Sequence, residues 1–306
     1  MISIANEGGI RQAWRNPLHQ KQWLGGEQKD IVCLGKRFTP IAATSWLSGQ
    51  GLNIRVYYLD KDNYVRERIC VDPRYQQRDP DWEDEPRWTP GELNVFNFRA
   101  ASHSQLAVTS WGDGHISLCY QDTNQTICEL RGIWDDRGPA IWRKSLQLYD
   151  AIVATSLAIT TFNIGREGKK GIRLIYQGVD RNIREQIWDD GELFSSRRSK
   201  IEILPGASIA AIKLRSNHTQ VVLSSPSITF RSLVATVPRS WTAVQVERIG
   251  KPLGTQLAVI RDQADYRVYS FTADGCLIET RKWDGEWDGH LILYCDEALR
   301  AAAGEN

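Results

Sequence analysis

Along most of the chain, apolar residues recur at every second position, in short runs closed by turn-forming residues. That period marks strands, not helices. The clearest run is Asn53 to Ile69, NIRVYYLDKDNYVRERI. Ile54, Val56 and Tyr58 alternate with Arg55, Tyr57 and Leu59. Asp60, Lys61, Asp62 and Asn63 supply turn chemistry, and Tyr64 to Ile69 return as a second strand. The pattern predicts a β-hairpin with Arg55 on one arm and Glu67, twelve residues later, on the other.

The hairpin recurs. GIRLIYQGVDRNIREQIW (171–188) carries Arg173 and Glu185 at the same spacing, and YRVYSFTADGCLIETRK (266–282) carries Arg267 and Glu279. HISLCYQDTNQTICELR (115–131) keeps Glu129 but has Ser117 at the arginine position. IANEGGIRQAW, near the start, keeps the turn and the returning strand, with Gln12 at the glutamate position. Recurrence every ~45–65 residues marks a repeat architecture. An Ala-rich apolar strand precedes each hairpin, as in PIAATSWL (40–47), QLAVTSWG (105–112) and AIVATSLAI (151–159). A Trp-containing segment follows it, as in RWTPGEL (87–93), AIWRKSL (140–146) and SWTAVQV (240–246).

Four short antiparallel strands per repeat make a propeller blade. The expected fold is therefore all-β, a six-bladed β-propeller of four-stranded antiparallel blades in one domain, 1–306. The blades fall at about 1–37, 38–98, 99–147, 148–204, 205–250 and 251–295. In the fifth, Val221 stands at the arginine position and Leu233 at the glutamate position. Blade one lacks its Ala-rich strand, and the tail 296–306, beginning DEALRAAA, is the candidate to supply it and close the ring.

Composition narrows the function. The 38 Lys+Arg residues nearly balance the 37 Asp+Glu residues, so the net charge is +1 and offers no electrostatic case for nucleic acid. No apolar run is long enough for membrane insertion. MISIANEGGIRQ lacks the apolar core of a signal peptide, which points to a cytoplasmic or non-classically released protein. The six cysteines form no CxxC pair, so neither a metal nor another cofactor is expected, and the thiols are expected reduced and mostly buried. A Cys119–Cys128 bridge across one hairpin is the alternative for that pair. Twelve tryptophans are enough both to pack cores and to offer platforms for a ligand.

The strand pattern IAATSW, the IRVYY…IRE hairpin and the Trp before the fourth strand resemble those of the fungal fucose-binding lectins, the six-bladed propellers of the Aleuria aurantia lectin type. The resemblance covers nearly the whole chain. It implies sugar sites between blades, where one blade gives an Arg and a Glu and the next gives apolar walls with a Trp. Arg55 and Glu67 would then be met by Trp142, Arg173 and Glu185 by Trp241, and Arg267 and Glu279 by Trp23. The ligands implied are fucosylated glycans or another small neutral ligand, and a homodimer is left open. The chemistry suits a neutral deoxysugar: guanidinium donates in a rigid fork, carboxylate accepts from hydroxyls, and an indole face covers the apolar side. Some wall positions of the family are small here, among them Gly114 and Gly132, which implies thinner walls.

No catalytic signature is present: no HExxH, GxSxG, P-loop or GxGxxG. The enzyme alternative is a pericyclase of the hetero-Diels–Alderase type on the same lectin-like propeller, with one deep apolar pocket in place of several inter-blade sites. If the Arg–Glu pairs are no more than exposed cross-strand bridges, each is worth ~0–1 kcal/mol. If instead they hold a sugar, Arg173→Ala should leave stability nearly unchanged, since an exposed pair contributes so little, while binding at that site falls. A destabilised fold with unchanged stoichiometry would make the pair architectural.

Overall fold

The computed structural model describes residues 2–4, 8–14, 24–25, 30–72, 87–112, 114–135, 138–164, 169–189, 192–215, 218–224, 230–236, 241–243, 257–262, 265–271, 277–283 and 286–293. They form six antiparallel four-stranded sheets, in chain order. Sheet one has Ile2–Ile4, Gly9–Trp14, Leu24–Gly25 and Ile31–Leu34, the last two both pairing with Gly9–Trp14. Sheet two runs Ala42–Ser48, Gly51–Leu59, Val65–Asp72 and Thr89–Pro90. Sheet three runs Leu106–Trp111, His115–Gln121, Ile127–Asp135 and Gly138–Leu148. Sheet four runs Leu157–Ile164, Lys169–Gln177, Asn182–Asp189 and Glu192–Glu202. Sheet five runs Ser208–Arg215, His218–Ser224, Phe230–Thr236 and Trp241–Ala243. Sheet six runs Leu257–Asp262, Asp265–Phe271, Leu277–Trp283 and Glu286–Leu293.

The chain divides into two compact units, Met1–Ala154 with sheets one to three and Thr155–Asn306 with sheets four to six. In the first unit, the hairpin strand of sheet two buries both faces. Val56 and Tyr58 pack with Ile10, Val32 and Cys33 of sheet one. Tyr57 and Leu59 pack with Ile116, Leu118, Leu130 and Trp142 of sheet three. A strand covered on both sides has no solvent face to keep polar, which is why IRVYYL is almost continuously apolar. In the second unit, Ala158, Ile175 and Ile183 of sheet four pack with Ile209 and Val221 of sheet five.

Short polar stitches fix the linkers that lead into sheets two, three and four. A buried hydroxyl ahead of the first strand accepts from the last amide of the second: Leu59 N to Thr39 Oγ1 at 2.7 Å, Gln121 N to Ser104 Oγ at 2.8 Å, Gln177 N to Thr155 Oγ1 at 2.8 Å. The hairpin turn is then tied to the linker that follows, through Ala100 N to Asn63 O and Ile203 N to Arg181 O. Each turn holds one residue in the left-handed region, Asn63, Gln125 or Arg181.

Cys33, Cys70, Cys119 and Cys128 are buried and not disulfide-bonded. Cys119 lies opposite Glu129 while Tyr120 lies opposite Cys128, so the two thiols stand on opposite faces and the alternative of a bridge is set aside. The tail 296–306, Cys276, Cys295 and the insert 73–86 lie outside the described residues.

Candidate functional site

In sheet two, Arg55 lies opposite Ile69 and Glu67 opposite Tyr57. Positions two apart on a strand share a face, so Arg55, Tyr57, Glu67 and Ile69 form one square on the face toward sheet three. Arg55 Nε stands 3.7 Å from Glu67 Oε1, and each side chain is 1% exposed. Tyr57 donates its hydroxyl to Glu67 Oε1 at 2.9 Å, and Leu93 N donates to Oε2 at 3.2 Å. A side chain at Gly91 would run into the Glu67 carboxylate, so glycine is what leaves it room. Burial pushes Glu67 up to about 7, against the opposing pull of Arg55, the Leu93 amide and the Tyr57 hydroxyl. Burial likewise lowers the Arg55 pKa, against the charge of Glu67.

Two indoles cover the guanidinium. Arg55 Cζ lies 5.1 Å from the Trp46 ring centre and 5.3 Å from that of Trp134, and the two rings meet edge to face at 5.9 Å. Trp142 is buried and sits edge-on against Tyr57 at 5.9 Å. It therefore reaches the pair through Tyr57, not by stacking on the arginine. Sequence reasoning missed Trp46 and Trp134. Trp46 stands in the first strand, two residues beyond Thr44, which lies opposite Arg55. The wall is also thicker than the glycines at 114 and 132 imply. A side chain at Gly114 would strike the Trp134 carbonyl, and one at Gly132 would come within 3.0 Å of the Trp142 ring. Both glycines make room for tryptophan.

Buried donors collect around this pair. Arg55 Nη1 and Nη2, Trp46 Nε1 and Trp142 Nε1 have no acceptor among the described residues. One sheet earlier, the corresponding Trp88 Nε1 does have one, donating at 2.8 Å to Gln12 Oε1, the residue at the glutamate position of sheet one.

The second pair is tighter. Arg173 Nε lies 2.8 Å from Glu185 Oε1, and both side chains are buried. Ile175 stands where Tyr57 stands in sheet two. Phe162 occupies the Trp46 position and covers Arg173 Cζ at 5.4 Å. Burial lowers the Arg173 pKa. Of Trp241 the backbone alone is described, at the start of the fourth strand of sheet five. In the third pair, Arg267 Nη1 donates to Glu279 Oε2 at 3.3 Å and Tyr269 donates to the same oxygen at 2.7 Å. Asp262 takes the aromatic's place by register, and Arg267 is correspondingly the most open of the three arginines, at 15%. Trp23 lies outside the described residues.

Burial corrects the expectation of exposed, weakly coupled pairs: the first two are sealed under aromatic rings. Sheet five needs a second correction. Val221 lies directly opposite Leu233 and packs with Ile175 of sheet four, so it faces the preceding sheet. By register the position equivalent to Arg55 is Gln220, opposite Val234, and that equivalent to Glu67 is Ser232, opposite Val222.

Comparison with known proteins places these features in a wider set. The profile of the family described as fungal fucose-specific lectin matches residues 5–291. A fucose-specific lectin of Aleuria aurantia is 29% identical over 211 residues, 67% of this chain and 59% of that protein. One from Arthroderma benhamiae is 26% identical over 218 residues, 62% of this chain and 54% of that protein. The chain thus spans little more than half the length of these curated relatives. The crystal structure of the Aleuria aurantia lectin, described as a six-bladed β-propeller, superposes with a TM-score of 0.77 at 24% identity, covering 96% of this chain and 90% of that one. A point mutant of that lectin, in complex with Fucα1-6GlcNAc, gives a TM-score of 0.77 at 23% identity, covering 96% and 91%. At these identities the likeness shows the fold, a six-bladed β-propeller.

Proposed function

Because the chain belongs to the fungal fucose-specific lectin family, we propose that it is a non-catalytic carbohydrate-binding protein that takes fucose or a closely related deoxyhexose at its Arg–Glu clamps. The observation that carries this reading is the group of buried donors around Arg55. A charged guanidinium with two nitrogens lacking acceptors is costly to bury. Sugar oxygens are acceptors of the right size to meet the Nη fork. Glu67 accepts from sugar hydroxyls, in competition with Tyr57. The C6 methyl and the apolar ring face lie against Trp46 and Trp134, which part to admit the sugar.

The clamps differ in readiness. At Arg267, Asp262 stands by register at the Trp46 position and the arginine side chain is partly open. At Arg173 the ion pair is closed at 2.8 Å under Phe162, so the sugar must displace more. Binding at one site is weak because a monosaccharide buries little surface, and several sites acting together give useful avidity on glycan-coated surfaces. The relatives described as fucose-specific, and the fucoside complexes of the Aleuria aurantia lectin, support this choice of sugar.

The test is isothermal titration of the full chain with methyl α-L-fucoside beside galactose and mannose, backed by a glycan array. Saturable heat with fucoside and little with the controls is expected. Absence of any fucosylated hit would end the proposal.

A further inference from the structure

In sheet three the arginine position holds Ser117, and by sequence the clamp looks lost. The register says otherwise. Arg131 lies directly across from Ser117, as Ile69 lies across from Arg55 and Ile187 from Arg173. The cation has changed arms within one cross-strand pair. Residues paired in this way have Cβ atoms about 4.5–5.5 Å apart, a gap that an arginine side chain spans. Its guanidinium does reach the carboxylate: Arg131 Nε donates to Glu129 Oε1 at 3.1 Å, and Ser117 Oγ donates to the same oxygen at 2.6 Å. Both charged side chains are buried. Sheet six carries arginine on both arms of this pair, Arg267 opposite Arg281.

The aromatic recurs as well. Thr109-Ser110-Trp111 repeats Thr44-Ser45-Trp46 and Thr160-Thr161-Phe162. Thr109 lies opposite Ser117 as Thr44 lies opposite Arg55. Trp111 is partly exposed and stacks on His115 at 5.4 Å.

Packing does not require this charged pair: at the equivalent register positions sheet five carries Gln220 and Ser232. A buried ion pair gains little over apolar residues of similar volume. We infer that sheet three carries a further binding clamp, Ser117–Glu129–Arg131, for the same class of neutral deoxyhexose, with the cation supplied from the opposite arm. The inference rests on the sugar-binding reading above. Glu129 accepts from the sugar hydroxyls and Arg131 donates. Ser117, which both donates and accepts, adds a contact that the arginine-bearing arms lack.

Titration of the full chain with methyl α-L-fucoside tests it by stoichiometry, with thermal melts to verify folding. R131I and E129Q are each expected to bind one fucoside fewer per chain than the unmodified protein. S117R/R131I, which moves the arginine back to the arm used in sheets two and four, is expected to restore the lost site. If E129Q, which keeps the side chain's shape, and folded R131I both retain the full stoichiometry, the cluster is architectural and the inference is wrong. Should R131I fail to fold, E129Q decides alone. An unmodified chain that binds no fucoside defeats the sugar reading itself and this site with it. That outcome is distinguishable from a chain that binds normally and is indifferent to both variants.

Discussion

Removing Arg173 tests the burial of the clamps most directly. At 2.8 Å, with both side chains buried, the gross attraction between Arg173 and Glu185 is roughly 6 kcal/mol at an effective dielectric of about 20. Desolvation of two ions consumes most of that, so the intact pair contributes little net stability. Arg173→Ala takes from the buried Glu185 carboxylate its partner at 2.8 Å, with Arg197 still opposite it on the next strand. The expected cost is about 3–5 kcal/mol. For a chain of 306 residues unfolding with about 2.1 cal/mol/K per residue, that is a fall in Tm of roughly 5–8 °C. R173M/E185L, which removes both charges and keeps volume, should lie within ~1–2 kcal/mol of the unmodified protein. Arg198→Ala is the control in the same sheet. Arg198 pairs with Asp180 at 2.7 Å but is 59% exposed, so its loss should cost under ~1 kcal/mol. The assay is denaturant unfolding of all three variants, read as midpoint and slope. If R173A costs no more than R198A, the clamp is solvated and the argument from burial fails.

The raised pKa of Glu67 predicts a pH effect. Because its folded value of about 7 exceeds the ordinary 4.5, its contribution to stability is fully present below pH 4.5 and is lost as pH rises through 7. The amount is roughly 3 kcal/mol, read as the difference between the stability–pH profiles of the unmodified chain and E67Q; parallel profiles would refute it. Tyr57→Phe removes a hydrogen bond to a charged acceptor, worth about 1.5–3 kcal/mol. It also removes the donor that competes with the sugar for Glu67, so calorimetry should show tighter fucoside binding together with lower stability. Arg181→Gly relieves a left-handed conformation at φ 63° and should stabilise the fold by roughly 1 kcal/mol, measured by denaturant midpoint; no gain would mean that the side chain, not the backbone, fixes the turn.

The hairpins were legible because period and turn chemistry coincide within a few residues. The pairing of Arg55 with Glu67 could be read from spacing alone, since both arms are short and the turn is tight. Burial could not be read. It depends on Trp46, eight residues or more from either partner, and on Trp134 in another sheet. Trp142 looked like the platform because the sequence places a Trp ahead of each fourth strand, yet it lies within Gly138–Leu148 and Gly132 lets its ring sink against Tyr57. Arg131 was hidden because a motif search fixes the arm as well as the spacing, whereas a carboxylate takes a cation from either side. In sheet five the reading slipped by one residue: Val221 packs toward sheet four, and the register puts the equivalent positions at Gln220 and Ser232. The hydroxyls of Thr39, Ser104 and Thr155 gave no signal, since a lone Ser or Thr before a strand is common and only the repeated geometry gives it meaning.

Those stitches set the grain at which the chain can be cut or shuffled. A linker residue belongs to two neighbours at once: Ala100 closes the turn of the sheet before it, and Ser104 closes the second strand of the sheet after it. Excising one sheet at its strand ends would strand an amide on one side and a turn carbonyl on the other. The smallest transferable module is therefore a sheet with its leading linker, offset from the sheet boundaries by a few residues. A designer adding or deleting a repeat should place the seams inside the strands' outer loops, and leave the linkers whole.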